Sequence, residues 1–294
     1  MGLLPHNIRN LSLIKEVSSF RRLATSTWGE PSDPTVYGQL NVDIAKGLAY
    51  IKRQEEASGE KITITHFVGR CLAQCVREYP ASNTLIRFNR YYQRANVDMF
   101  FQVAITNGTP GRADDLSGVC VRDCDRKGLS QIAGELRGRA EKVRAKQDKE
   151  VSKATQNLQI VPPILLGPIL KFLDFLAYSL NLGVPGMPRD PFGSAMVTSM
   201  GMFGIAHAWA PLFPPAHCPI VVMVGAIERR PWVMDASGPD ERLEIRDILS
   251  LHVAFDHRIM DGVLAAQLTL RIKDLLENPD QLDALDAAQA LPAT

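Results

Sequence analysis

The sequence predicts an α/β domain of the α+β kind, a mixed β-sheet flanked by helices. Three observations predict it. Short apolar runs bounded by Gly, Pro, Asn and Asp recur along the chain, as buried strands do. Segments of helical periodicity lie among them without a strict βαβ alternation, which argues for a mixed rather than a wholly parallel sheet. The 294 residues, 46% hydrophobic and 22% charged, are enough to bury a sizeable core without disulfides.

Residues 1–34 mix helix signals with the turn formers Pro31, Ser32, Asp33 and Pro34, and read as an arm leading into a domain over 35–279. Tyr37–Ile44 alternates as a strand, and Asp43 is placed to cap a helix running to Glu56. Glu60–Thr65 is the turn and cap for a helix over His66–Arg77, whose Phe67, Val68, Cys71, Leu72 and Cys75 share one apolar face. Leu85–Tyr92 and Met99–Thr106 read as strands, Asn107–Ser117 as a loop, Gly118–Arg122 as a strand and Ser130–Lys149 as a basic amphipathic helix. An apolar insertion punctuated by Pro and Gly follows at about 160–187. Ser194–Ser199 and Ile220–Ile227 are buried strands with the turn Gly201–Gly204 between them, and Arg246–Phe255 is the last strand. Asp261–Glu277 is a helix stopped by Asn278-Pro279. The tail, 280–294, is rich in Ala and Asp and reads as a frayed helix or an interaction segment.

Charge and cysteine content narrow the function classes. Lys and Arg number 33 against 32 Asp and Glu, so nothing electrostatic favours nucleic acid as partner. Five cysteines without a Cys-x-x-Cys pair fit a reducing, cytoplasmic setting. Arg9 and Lys15 interrupt the stretch an export signal would need. The most apolar window, Ile160–Leu182, is broken by Pro162, Pro163, Gly167, Pro168, Lys171 and Asp174, so no transmembrane span is expected. His207, His217 and His252 stand at spacings that match no zinc signature, and no metal site is expected.

The stretch most informative about chemistry is LHVAFDHRIMDG, Leu251–Gly262. A strand delivers His257 at its end, and a turn delivers Asp261 four residues later, with Gly262 relieving crowding. Those are the parts of a positioned general base. A plainer reading fits the same residues: Asp261 as the N-cap of the last helix and His257 as a hydrogen-bonded turn histidine.

Context changes the balance. FDHRIMDGVLAAQLTLRIKDLLENP (Phe255–Pro279) resembles the C-terminal signature of the dihydrolipoyl acyltransferase catalytic domain, the core component of 2-oxo acid dehydrogenase complexes and a relative of chloramphenicol acetyltransferase. VTSMGMFGIAHAWAPLFPPAHCPIVVMVGAI (Val197–Ile227) resembles its hydroxyl-bearing strand, GMFG turn, Pro-Pro segment and following apolar strand. VCVRDCDRKGLSQIAGEL (Val119–Leu136) is a third match, and QLNVDIAKGLAYIKR with ITITHFVGRCLAQCV a fourth. They stand in the family's order over most of Gln39–Pro279.

The resemblance implies a chloramphenicol acetyltransferase-like fold and a coenzyme A-dependent acyltransferase. His257 would take the proton from a thiol, that of coenzyme A or of a dihydrolipoyl group, as it attacks a thioester. Asp261 would hold the geometry by an ion pair with Arg21 or Arg22. Register on GMFG favours Thr198 as donor to the oxyanion, with Ser199 as the alternative donor. The family forms homotrimers with the site between subunits, so that His257 faces a neighbour's Thr198, and its trimers build cages; a tail ending DAAQALPAT departs from the family's short apolar terminus. No lipoyl-lysine motif occurs in the sequence, which makes a lipoyl-domain protein an expected partner. The insertion is longer and more apolar than the family's loop there, and fits a helix buried in the trimer or a partner, acyl-chain or membrane-surface contact. The alternatives to dihydrolipoyl-type transfer are an acyltransferase with another acceptor and a non-catalytic scaffold that keeps the fold.

Overall fold

A computed structural model describes Ser19 and residues 33–105, 115–144, 162–183, 189–236 and 238–290. Arg21 and Arg22 lie outside the described residues. The described residues from Thr35 onward form one compact unit.

The unit is built on a six-stranded mixed sheet. Its strands are β1 (Thr35–Asp43), β4 (Met99–Ile105), β5 (Asp115–Val121), β6 (Ala195–Ser199), β7 (Ile220–Met234) and β8 (Arg242–Asp256), in the order β1-β8-β7-β6-β4-β5. The pairs β4/β6 and β6/β7 are parallel and the other three antiparallel. The helices α1 (Ala45–Ser58), α2 (Ile64–Glu78), α3 (Leu129–Arg144) and α5 (Gly262–Glu277) enclose the main core with this sheet, through Phe67, Val197, Val222, Leu251 and Leu275 among others. Cys71 and Cys75 lie in that core, on the apolar helix face expected for them. The opposite sheet face carries a smaller cluster of Met196, Cys218, Val221 and Ala254, packed by Phe192 and Leu212.

Two parts of the structure depart from the sequence reading. Leu85–Tyr92 is not one strand but a hairpin, β2 (Thr84–Arg87) and β3 (Arg90–Gln93), because Phe88 and Asn89 both take positive φ (47° and 58°) and reverse the chain in two residues. The strands β7 and β8 run well beyond their apolar cores and pair as far as Met234 with Arg242. The insertion does contain a helix, as its apolar pattern allows: α4 (Pro163–Asp174), with Pro168 inside it, followed by a π-helical turn over Phe175–Ser179. Within the chain α4 is not buried: Ile164 is 84% and Phe172 60% exposed.

The tail helix α6 (Asp280–Ala290) is tied down over its described side chains. Leu282 is buried, Tyr50 donates to Asp283 at 2.7 Å, and the buried Arg70 reaches Asp286 at 2.5 Å. No helix among the described residues is long and apolar enough to cross a membrane.

Candidate active site

His257 follows β8 directly and is exposed on a turn that closes at the start of α5. The turn is pinned from both sides. The amide of Asp256 donates to the carbonyl of Pro219 at 3.0 Å, and the Asp256 carbonyl accepts from the amides of Ile259 and Met260 at 3.0 Å. The Asp256 carboxylate, nearly buried, accepts from the Arg258 amide at 2.9 Å and from its guanidinium at 2.6 Å. That contact raises the Arg258 pKa. From the hairpin, the Tyr91 hydroxyl donates to the Arg258 carbonyl at 3.1 Å. Asp256 and Tyr91 were not singled out in the sequence; the acidic residue next to the strand-end histidine was the available signal for the first, and Tyr91 carried none.

Asp261 is the N-cap of α5, in extended backbone, with its carboxylate accepting from the Leu264 amide at 2.9 Å. The capping reading of this residue is therefore realised. Its expected partners Arg21 and Arg22 fall outside the described residues.

Thr198 and Ser199 end β6, and both are partly buried. Side chains alternate across a strand, so Thr198 shares the face of Met196 while Ser199 shares that of Val197, toward the helices. Beyond them the GMFG turn presses on β7. A Cβ on Gly225 would stand 2.1 Å from the Ala206 carbonyl oxygen, and one on Gly201 would stand 2.5 Å from the Gly225 oxygen, so neither position admits a side chain.

Within one chain the structure does not bring Thr198 to His257. Thr198 pairs with Met223, and Met223 with His252, five residues short of His257. At strand dimensions that is roughly 17 Å along the sheet and about 10 Å across it.

The neighbourhood of Thr198 holds a cluster that sequence spacing left unconnected. His252 is buried, its Nε2 lies 3.2 Å from Nδ1 of His207, and Trp209 packs edge-on against it at 4.6 Å. Arg230 lies 2.6 Å from the other His207 ring nitrogen. Burial, with His207 beside it, lowers the His252 pKa. Among the described residues no group of three potential ligands is arranged to hold a metal. The cysteines are free, and burial pushes the thiols of Cys71 and Cys120 up to about 12, the reverse of nucleophile activation.

The family model described as 2-oxoacid dehydrogenases acyltransferase (catalytic domain) matches residues 19–157 and 192–284. The chain belongs to this family. The unmatched stretch of the acyltransferase domain between those segments, 158–191, contains α4. Among curated relatives, the chain is 24% identical over 251 residues to the dihydrolipoyllysine-residue acetyltransferase component of the pyruvate dehydrogenase complex of Acholeplasma laidlawii, covering 83% of this chain and 36% of that protein. It is 25% identical over 252 residues to the lipoamide acyltransferase component of the branched-chain alpha-keto acid dehydrogenase complex of Bacillus subtilis, covering 84% and 48%. The chain thus spans between a third and a half of the length of these relatives. Its fold is that of the Azotobacter vinelandii dihydrolipoamide acetyltransferase, with a TM-score of 0.60 at 21% identity, over 96% of this chain and 98% of that one. A probable dihydrolipoamide acetyltransferase from Listeria monocytogenes gives 0.59 at 19%, over 90% and 94%.

Proposed function

We propose that this acyltransferase domain moves an acyl group between the thiols of coenzyme A and of a dihydrolipoyl group, with His257 as the general base. The observation that carries the reading is the pinned, exposed His257 turn inside the family-matched segment 192–284. Asp256, Pro219 and Tyr91 fix the backbone on either side of the imidazole while its ring stays open to a substrate. A free thiol and an imidazole differ by about two pKa units, roughly 2.7 kcal/mol, so proton removal is a small part of the barrier. The thiolate sulfur attacks the thioester carbonyl, one C–S bond forms, the other breaks, and the proton held by His257 passes to the departing sulfur. A single tetrahedral intermediate suffices, without an acyl-enzyme.

The oxyanion of that intermediate needs a donor. Thr198 supplies it from a neighbouring subunit of a homotrimer, a reading supported by the distance between Thr198 and His257 within one chain. Acetyl transfer from acetyl-CoA to free dihydrolipoamide tests the function. His257→Ala is expected to lower the rate about a hundred- to ten-thousandfold, and an unchanged rate refutes the assignment.

A further inference from the structure

An apolar cavity of about 90 Å³ lies under the His257 turn, between the sheet and α5. Strands β1, β7 and β8 form one wall, and α5 with Leu72 of α2 forms the other. Val36 and Leu40 of β1 pack on the main core, so position 38 between them faces the helices as well. Position 38 is glycine, and a Cβ built there would meet nothing within 4 Å. Its φ lies outside the left-handed region, so the backbone does not require glycine. Position 38 is only partly buried and lies on the edge strand, so the pocket is part-open rather than sealed, and a small side chain there would fill part of it.

The cavity offers water little. Thr269, one of its two polar lining residues, donates its hydroxyl to the Ala265 carbonyl at 2.7 Å, and the side chain of Gln39, the other, donates to Asn41 at 3.1 Å. A trapped water wants roughly two to four polar partners. At one end the cavity reaches the candidate catalytic turn. Phe255 and Met260, which bracket His257 in the chain, both line it, and the Phe255 ring centroid is 6.3 Å from that of His257. Met260 is unbranched and adaptable, the kind of side chain that moves aside for a ligand.

We infer that this cavity receives the distal end of the acyl chain of a medium-chain acyl thioester. The inference rests on the acyl transfer at His257 proposed above. Crossing 6.3 Å from His257 to the Phe255 ring takes about four bonds of ~1.5 Å. A cavity of about 90 Å³, set against the ~150 Å³ that binds benzene, then holds roughly three or four carbons more. The acyl group that fits has roughly seven to nine carbons.

The test compares acetyl-, butyryl-, hexanoyl-, octanoyl- and palmitoyl-CoA as donors to dihydrolipoamide, using the full chain and its Gly38→Val and Gly38→Ala variants. The wild type is expected to use octanoyl-CoA with a kcat/KM at least equal to that for acetyl-CoA, and palmitoyl-CoA poorly. Gly38→Val should lower the octanoyl-to-acetyl ratio of kcat/KM by about tenfold or more, with Gly38→Ala between it and the wild type and thermal midpoints unchanged or raised. A wild-type preference for acetyl-CoA, or a ratio that Gly38→Val leaves unchanged, overturns the inference while acetyl transfer itself stands. A wild type that transfers no acyl group from any donor overturns the inference and the proposed function together.

Discussion

Subunit mixing tests the architecture of the site most directly. Thr198→Ala removes the candidate oxyanion donor, and loss of one such donor typically costs about a hundred- to a thousandfold in kcat. His257→Ala removes the base. The strand register leaves roughly 20 Å between the two positions within a chain, and the proposed site combines His257 of one subunit with Thr198 of another. The two variants should each be near-inactive. If they are unfolded together at equal amounts and refolded, random assembly gives about a quarter of the sites both intact residues, since each site draws its two halves independently from two subunits. Recovered activity should therefore be about a quarter of the wild-type rate, measured as acetyl transfer to dihydrolipoamide. The double variant Thr198→Ala/His257→Ala mixed with wild type is the control, and it too leaves about a quarter of the sites intact. If the mixture of single variants stays at the summed rate of its parts while the control retains about half of the wild-type rate, as sites lying within one chain would give, the shared site is refuted.

Three further outcomes are expected. Asp256→Asn removes the carboxylate that holds Arg258 and loosens the turn; kcat should fall about ten- to a hundredfold with KM little changed, and a kcat within twofold of wild type would refute the positioning role. Asp286→Ala leaves the buried Arg70 guanidinium without its ion-pair partner; the expected loss is about 3 kcal/mol, roughly a 6–12 °C fall in thermal midpoint, largely recovered when Arg70→Met is added, and a fall under 2 °C would count against it. Stability should also decline in acid: burial lowers the His66 pKa to about 4, its Nδ1 accepts from the Thr63 amide, and His252 is lowered as well. The unfolded chain then binds more protons, so this stability is present above about pH 6.5 and is lost as pH falls toward 4. Urea midpoints at pH 7.5 and 4.5 measure the loss, and His66→Gln, which keeps a capping side chain that does not titrate, should reduce it.

Much of this architecture was legible because burial writes itself into sequence. The inner parts of β6, β7 and β8 are apolar runs between turn residues, and the α2 face carrying Cys71 and Cys75 repeats at helical spacing. Legibility fails where burial fails. The outer halves of β7 and β8 alternate between exposed and half-buried residues such as Glu228, Arg230 and Trp232, and they are held by pairing to each other rather than by the core. The Phe88-Asn89 reversal has a phenylalanine where a hairpin turn usually advertises itself with glycine or asparagine. At the site, the motif located His257 and Thr198, but their spacing in sequence says nothing of the register that separates them.

The foot of the insertion has a mechanical consequence. Asp174 meets His217 at 2.7 Å, Tyr178 stacks on that imidazole, Phe175 packs edge-on against Phe88, and the Ser179 carbonyl accepts twice from Arg87 at 3.1 and 2.9 Å. Arg87 and Phe88 belong to the same short hairpin whose Tyr91 holds the backbone beside His257. A segment outside the family-matched residues thus shares a strut with the turn inside them. Cutting out residues 163–183 would remove a brace from that turn as well as an apolar surface, and a load applied to α4 would reach the imidazole's backbone both through that hairpin and, by way of His217, through Pro219.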